Sequence, residues 1–191
     1  MQLQSTWMGR MWGREGGATL AEFAVTLPLL AAIAYAVFDF GGALVLKQKL
    51  EQAVYETARL AASQSTDDFT SATVDTAGSI AALRDSVARN LRAAGVNDCG
   101  LLGTASTAPS PTTAVWVYTV SGGGCPAPMV LTIRRQNAIT VLGSGTMFYS
   151  RVTLQYPYAY HLGAILSVLT PGGTFPASAN LVVNASMKNL I

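Results

Sequence analysis

Between Ala18 and Leu46 the chain carries only two fully charged side chains, Glu22 and Asp39, alongside the weakly acidic Tyr35. A bilayer core of about 30 Å takes roughly 20 helical residues. As a helix, Ala18 to Leu46 would reach about 43 Å at 1.5 Å per residue. The run therefore reads as a helix that spans a membrane and projects beyond it. Arg10 and Arg14 precede it with only Glu15 as counter-charge, which favours a cytoplasmic N-terminus. Everything after Leu46 would then lie on the far side.

The rest of the 191 residues has room for one compact domain. Charged residues make up 12% of the chain, against about 25% in soluble domains. The formal net charge is +2, and Arg134-Arg135 is an isolated basic pair. Nucleic-acid binding needs basic charge clustered on one face, so no nucleic-acid partner is expected. Two cysteines and the lone His161 do not make a zinc site, and no metal or cofactor is expected.

Glu22 is out of place in such a run. A carboxylate in a lipid-embedded helix costs about 2.5–3.5 kcal/mol at the bilayer centre, less near the interface. It is kept either because something pairs with it or because it sits at the headgroups, favoured by the helix dipole. Asp39, in the last turns, reads as a solvated interfacial aspartate.

Gly17 is followed by Ala18-Thr19-Leu20-Ala21-Glu22-Phe23, a glycine and then a glutamate five residues on, opening an apolar helix after a short basic leader. This pattern resembles type IV prepilins. The longer stretch Gly17 to Leu30, with Pro28 inside it and Phe38-Asp39-Phe40-Gly41 near the helix end, resembles the TadE/TadF family of pilin-like proteins in tight-adherence (Tad, Flp) pili. Val152 to Tyr158 and Ala185-Ser186-Met187-Lys188 resemble it more loosely. The resemblance implies cutting by a prepilin peptidase between Gly17 and Ala18, and pairing of Glu22 with the new α-amine of a neighbouring subunit. A cut after Gly16 would put Glu22 sixth instead of fifth. The implied partners are major and minor pilins, the peptidase, the inner-membrane assembly platform and the lipid bilayer. The implied location is the bacterial inner membrane with a periplasmic C-terminal domain, then the extracellular pilus. Two rivals stay open: an uncleaved anchor, and a secretory signal peptide cut at Ala34-Tyr35-Ala36.

Beyond the span, Leu46, Leu50, Ala53, Val54, Thr57 and Leu60 recur at helical spacing, which carries the helix to about Ala62. Gln64–Ala77 and Thr104–Thr113 read as loops. Between them Ser79 is placed to cap a helix with Ile80, Leu83, Val87 and Leu91 on one face and Gly95 as its stop. Strands are expected from Ala114, at Met129–Ile133, Ala138–Leu142, Thr146–Tyr156 and Leu181–Ala185; Ala159–Leu169 has helical spacing. The order gives an α+β fold, a long helix laid on an antiparallel sheet. The expected division is a leader at 1–17, an anchor and assembly helix at 18–62, and an exported domain at 63–191. In an oxidising periplasm Cys99 and Cys125 would form a disulfide; two buried thiols are the alternative.

Nothing here makes a catalytic constellation. Ser144 lies in Gly143-Ser144-Gly145, short of a nucleophile elbow, and His161 is the sole histidine base. Gly122-Gly123-Gly124 lacks the Lys-Ser/Thr of a phosphate loop, Asp67-Asp68 reads as a solvated pair, and Asn184-Ala185-Ser186 is a bare glycosylation triplet. The expected role is a structural one, a minor pilin that primes, caps or decorates a filament. The other reading is a membrane-tethered binding module whose strand aromatics hold a ligand or glycan.

Overall fold

The computed structural model describes residues 15–64, 78–104, 114–141, 145–160 and 178–189. The expected sites or elements at Asp67-Asp68, Gly143, Ser144, His161 and most of Ala159–Leu169 lie outside those residues.

A single helix, α1 (Glu15–Ser63), dominates the chain, and its 49 residues make about 74 Å at 1.5 Å per residue. It passes through Pro28 without a break, although proline withholds the N–H that would bond to the carbonyl four residues back. Its two halves have different surroundings. From Thr19 to Phe38 nearly every side chain is exposed. From Asp39 onward one stripe is buried: Asp39, Ala43, Leu50, Ala53, Val54, Thr57, Ala58, Ala61 and Ala62. Leu60 was expected in this stripe, but it is 37% exposed. The 3.6-residue period brings Ala58 and Ala61 round to the core instead.

A second helix, α2 (Gly78–Ala93), packs beside α1 with Ile80, Leu83, Val87 and Leu91 all buried. It already includes Gly78, so Ser79 lies in the first turn and is not its cap. The far end stops as expected. Gly95 takes a φ of 70°, its N–H bonds to the Arg92 carbonyl, and the Val96 N–H bonds to Leu91 O at 2.8 Å. This is the Schellman arrangement, which needs a residue free to adopt the left-handed region. Lys49 of α1 donates to Ala94 O at 2.8 Å, placing a cation at the negative end of α2.

The sheet is a four-stranded antiparallel meander in the order β1 (Val115–Val120), β2 (Met129–Val141), β3 (Gly145–Ala159), β4 (Ser178–Lys188). The two strands expected at 129–133 and 138–142 are one strand. Arg134 pairs with Arg151 and Asn137 with Tyr149, so Arg135 and Gln136 together oppose Ser150 as a bulge. Gln136 takes a φ of 57° there. The inner face presents Trp116, Tyr118, Leu131, Ile133, Val152, Leu154, Tyr156 and Val183 to the helices. Of the strand aromatics, Trp116, Tyr118 and Tyr156 are core residues, whereas Phe148 is exposed and Tyr149, Tyr158 and Tyr160 are only partly buried.

Candidate functional site

The exposed half of α1 is the first candidate surface. Thr19 to Phe38 is about 20 residues, close to 30 Å of helix, which matches a hydrocarbon core. By length and composition α1 can cross a membrane, and it is the one such helix among the described residues. Leu20, Phe23, Val25, Leu29, Leu30, Val37 and Phe38 each expose more than half of their surface. Gly17 and Ala18 lie in its first turn. The Glu22 side chain is exposed, and no ion pair reaches it among the described residues. Its backbone carbonyl accepts the Thr26 hydroxyl at 3.0 Å.

Asp39 requires a correction. It is 8% exposed, not solvated, because Tyr158 near the end of β3 reaches back to it: Tyr158 Oη lies 3.0 Å from Asp39 Oδ1. Burial and the bond to Asp39 hold the Tyr158 hydroxyl above the usual phenol pKa. Gly41 meets nothing that a Cβ would touch, whereas a Cβ on Gly42 would lie 3.3 Å from Tyr158 Oη. The glycine this joint favours is the second of the pair. No local signal in the sequence ties Tyr158 to the helix, because 119 positions separate Tyr158 from Asp39.

The far end of α1 is closed by a residue read only as half of a basic pair. Arg135 is 1% exposed and donates from Nη2 to Gln64 O at 2.8 Å, just past the last turn. Strand alternation puts it on the inner face with Leu131 and Ile133, while Arg134 stays outside.

Cys99 and Cys125 form a disulfide across a sequence separation of 26, with Cα atoms 5.5 Å apart. Asn97 braces the same loop. Its Oδ1 accepts the Cys99 N–H at 2.9 Å, and its Nδ2 donates to Gly123 O. Gly123, at φ 60°, has no room for a side chain: a Cβ would come 2.7 Å from the Cys99 carbonyl carbon. Within the Gly122-Gly123-Gly124 run, the bare α-carbon at Gly123 is thus a steric requirement of the disulfide loop. Nearby, Asp98 accepts Arg92 Nη2 at 2.9 Å and Leu102 N at 3.4 Å. Burial raises its carboxyl pKa, but the bonds and charge of Arg92 and the backbone donors prevail and hold it below the usual range.

Among the described residues no group of three or more His, Cys, Asp or Glu could hold a metal ion. The geometry is that of an apolar rod with a compact head, joined at Asp39–Tyr158. Comparisons with curated proteins and with solved structures give no match. Residues 17–59, most of α1 from its first turn into its docked half, are similar to the family described as TadE-like protein.

Proposed function

We propose that this chain is a membrane-anchored minor pilin of a Tad-type pilus, made with a leader at 1–17, an assembly helix at 18–62 and an exported head at 63–191. The observation that carries the proposal is the exposed apolar half of α1 with Glu22 near its start. About 20 apolar residues with one carboxylate serve both an anchor and a filament core, but only the second gives the carboxylate a partner. In a bundle of such helices the α-amine of Ala18 on one subunit would pair with Glu22 of the next, and that pairing sets the axial register.

The test is the mass of the mature N-terminus together with the behaviour of Glu22→Gln. The mature chain should begin at Ala18. Glu22→Gln should insert and be cut at normal levels, since losing the charge eases membrane entry by about 1–3 kcal/mol. It should fail to copurify with filaments, because a buried ammonium is left unpaired. A mature chain beginning near Val37, or normal assembly of Glu22→Gln, would overturn the proposal.

A further inference from the structure

The charges of this chain are segregated along its length. After Asp98 the remaining sequence contains no aspartate or glutamate, and its only Lys and Arg residues are Arg134, Arg135, Arg151 and Lys188. Arg135 is buried at the end of α1. The other three are exposed, and the strand register gathers them. Arg134 pairs directly with Arg151 across β2 and β3, Arg151 pairs with Ser186, and Lys188 pairs with Tyr149 two residues along. All lie on the sheet face turned away from the helices.

Two arginines directly opposite each other on one face repel, a destabilising arrangement that sheets avoid. Their side-chain roots are only about 5 Å apart. The described acidic residues sit on α1, α2 and the turn after α2, so none lies on this face to offset them. Arg151 is also pre-positioned. Its Nε donates to Ser186 Oγ at 2.9 Å, and its guanidinium lies 5.6 Å from the Tyr149 ring centroid. The remaining guanidinium donors suit carboxylate and sulfate oxygens, which arginine can hold as a two-pronged fork.

We propose that this end of the outer sheet face binds an acidic polysaccharide, through Arg134, Arg151 and Lys188 on its carboxylate or sulfate groups. The adjoining row, Thr132 beside Thr153 beside Asn184, offers neutral hydroxyl and amide partners for sugar hydroxyls. A nucleic acid would need a longer basic track, and this face has cations only at one end. The chain's own bilayer is out of reach. Arg134 neighbours the Arg135 that closes α1 beyond Ser63, about 36 Å along the helix from Asp39. The site rests on the pilin reading only for its exposure outside the cell, and its binding is measured without any filament.

The experiment uses the full chain in non-ionic detergent micelles, titrated with polygalacturonate, with its fully methyl-esterified form and with a DNA duplex of matched charge. Polygalacturonate should bind, more weakly as salt rises; the neutral ester should not, and DNA should bind at least about tenfold more weakly. Arg134→Gln and Arg151→Gln should each weaken polygalacturonate binding by about tenfold while unfolding no more easily than the parent. Arg151→Lys should fall between, and Arg89→Gln on α2 should change nothing. Absence of polygalacturonate binding, DNA binding as tight, or unchanged binding by the two glutamine variants would each overturn the proposal.

Discussion

The Tyr158 hydroxyl lies 3.0 Å from Asp39 Oδ1 and 3.1 Å from the Asp39 carbonyl oxygen, so one donor on the sheet serves two acceptors on the helix. This joint stands where the exposed half of α1 ends and the docked half begins. It couples the rod to the head at the one turn where a buried carboxylate must have a partner.

Removing the hydroxyl should loosen the joint. Tyr158→Phe leaves the Asp39 carboxylate short of a donor, a cost of about 1–3 kcal/mol. It should show as faster amide exchange around Asp39–Ala43 in detergent. Because the folded-state pKa of Tyr158 is raised, its contribution is complete below the unfolded value of about 10 and is lost as pH rises through the folded one. Tyr158→Phe should therefore be less stable than the parent at pH 8, with the gap narrowing in strong alkali.

Two of the loop glycines with positive φ, Gly123 and Gly103, give a controlled comparison. Gly123→Ala drives a Cβ to 2.7 Å from backbone and should cost well over about 2 kcal/mol, with free thiols appearing at Cys99 and Cys125. Gly103, at φ 78°, has nothing within 4 Å of a Cβ, so Gly103→Ala should cost only about 1 kcal/mol. Equal effects would show that backbone conformation alone, without the close approach, decides both sites. Replacing both cysteines by alanine should remove about 3.5 kcal/mol by loop-closure entropy.

The Arg92–Asp98 contact predicts an acid-sensitive turn. The Asp98 carboxyl is held below its usual range, so its contribution is present above the unfolded pKa of about 3.9 and lost as pH falls through the folded value. Asp98→Asn should cost about 1–2 kcal/mol at pH 7, discounted because Arg92 is half exposed. Thermal unfolding of the two proteins should converge as pH falls through the lowered Asp98 value.

The docked stripe of α1 can be checked by size reduction. Leu50 is fully buried and Leu60 is 37% exposed. Leu50→Ala should cost about 2–5 kcal/mol, and Leu60→Ala under about 1 kcal/mol. A comparable loss at both positions would place the helix face wrongly.

Much of this molecule was legible in periodicity. The apolar run and the three-four spacing of Leu46, Leu50 and Val54 determine a long helix, because burial must repeat with the turn. Alternation at Trp116, Tyr118 and Val120 determines a strand, because only one face of the sheet is covered. The left-handed stop at Gly95 and the rod's Gly17–Glu22 pattern are local as well, readable from neighbours a few residues apart. What only the tertiary structure decided depends on contacts between distant segments. Asp39 reads as solvated from sequence alone because its partner is 119 positions away. Strand alternation puts Arg134 and Arg135 on opposite faces, but only the packing of distant segments sets one against the end of α1 and the other beside Arg151. The same holds for Gly123, whose need for a bare α-carbon comes from the Cys99 backbone across the disulfide loop. Local spacing specifies which face of an element is apolar; it does not specify which element that face will meet.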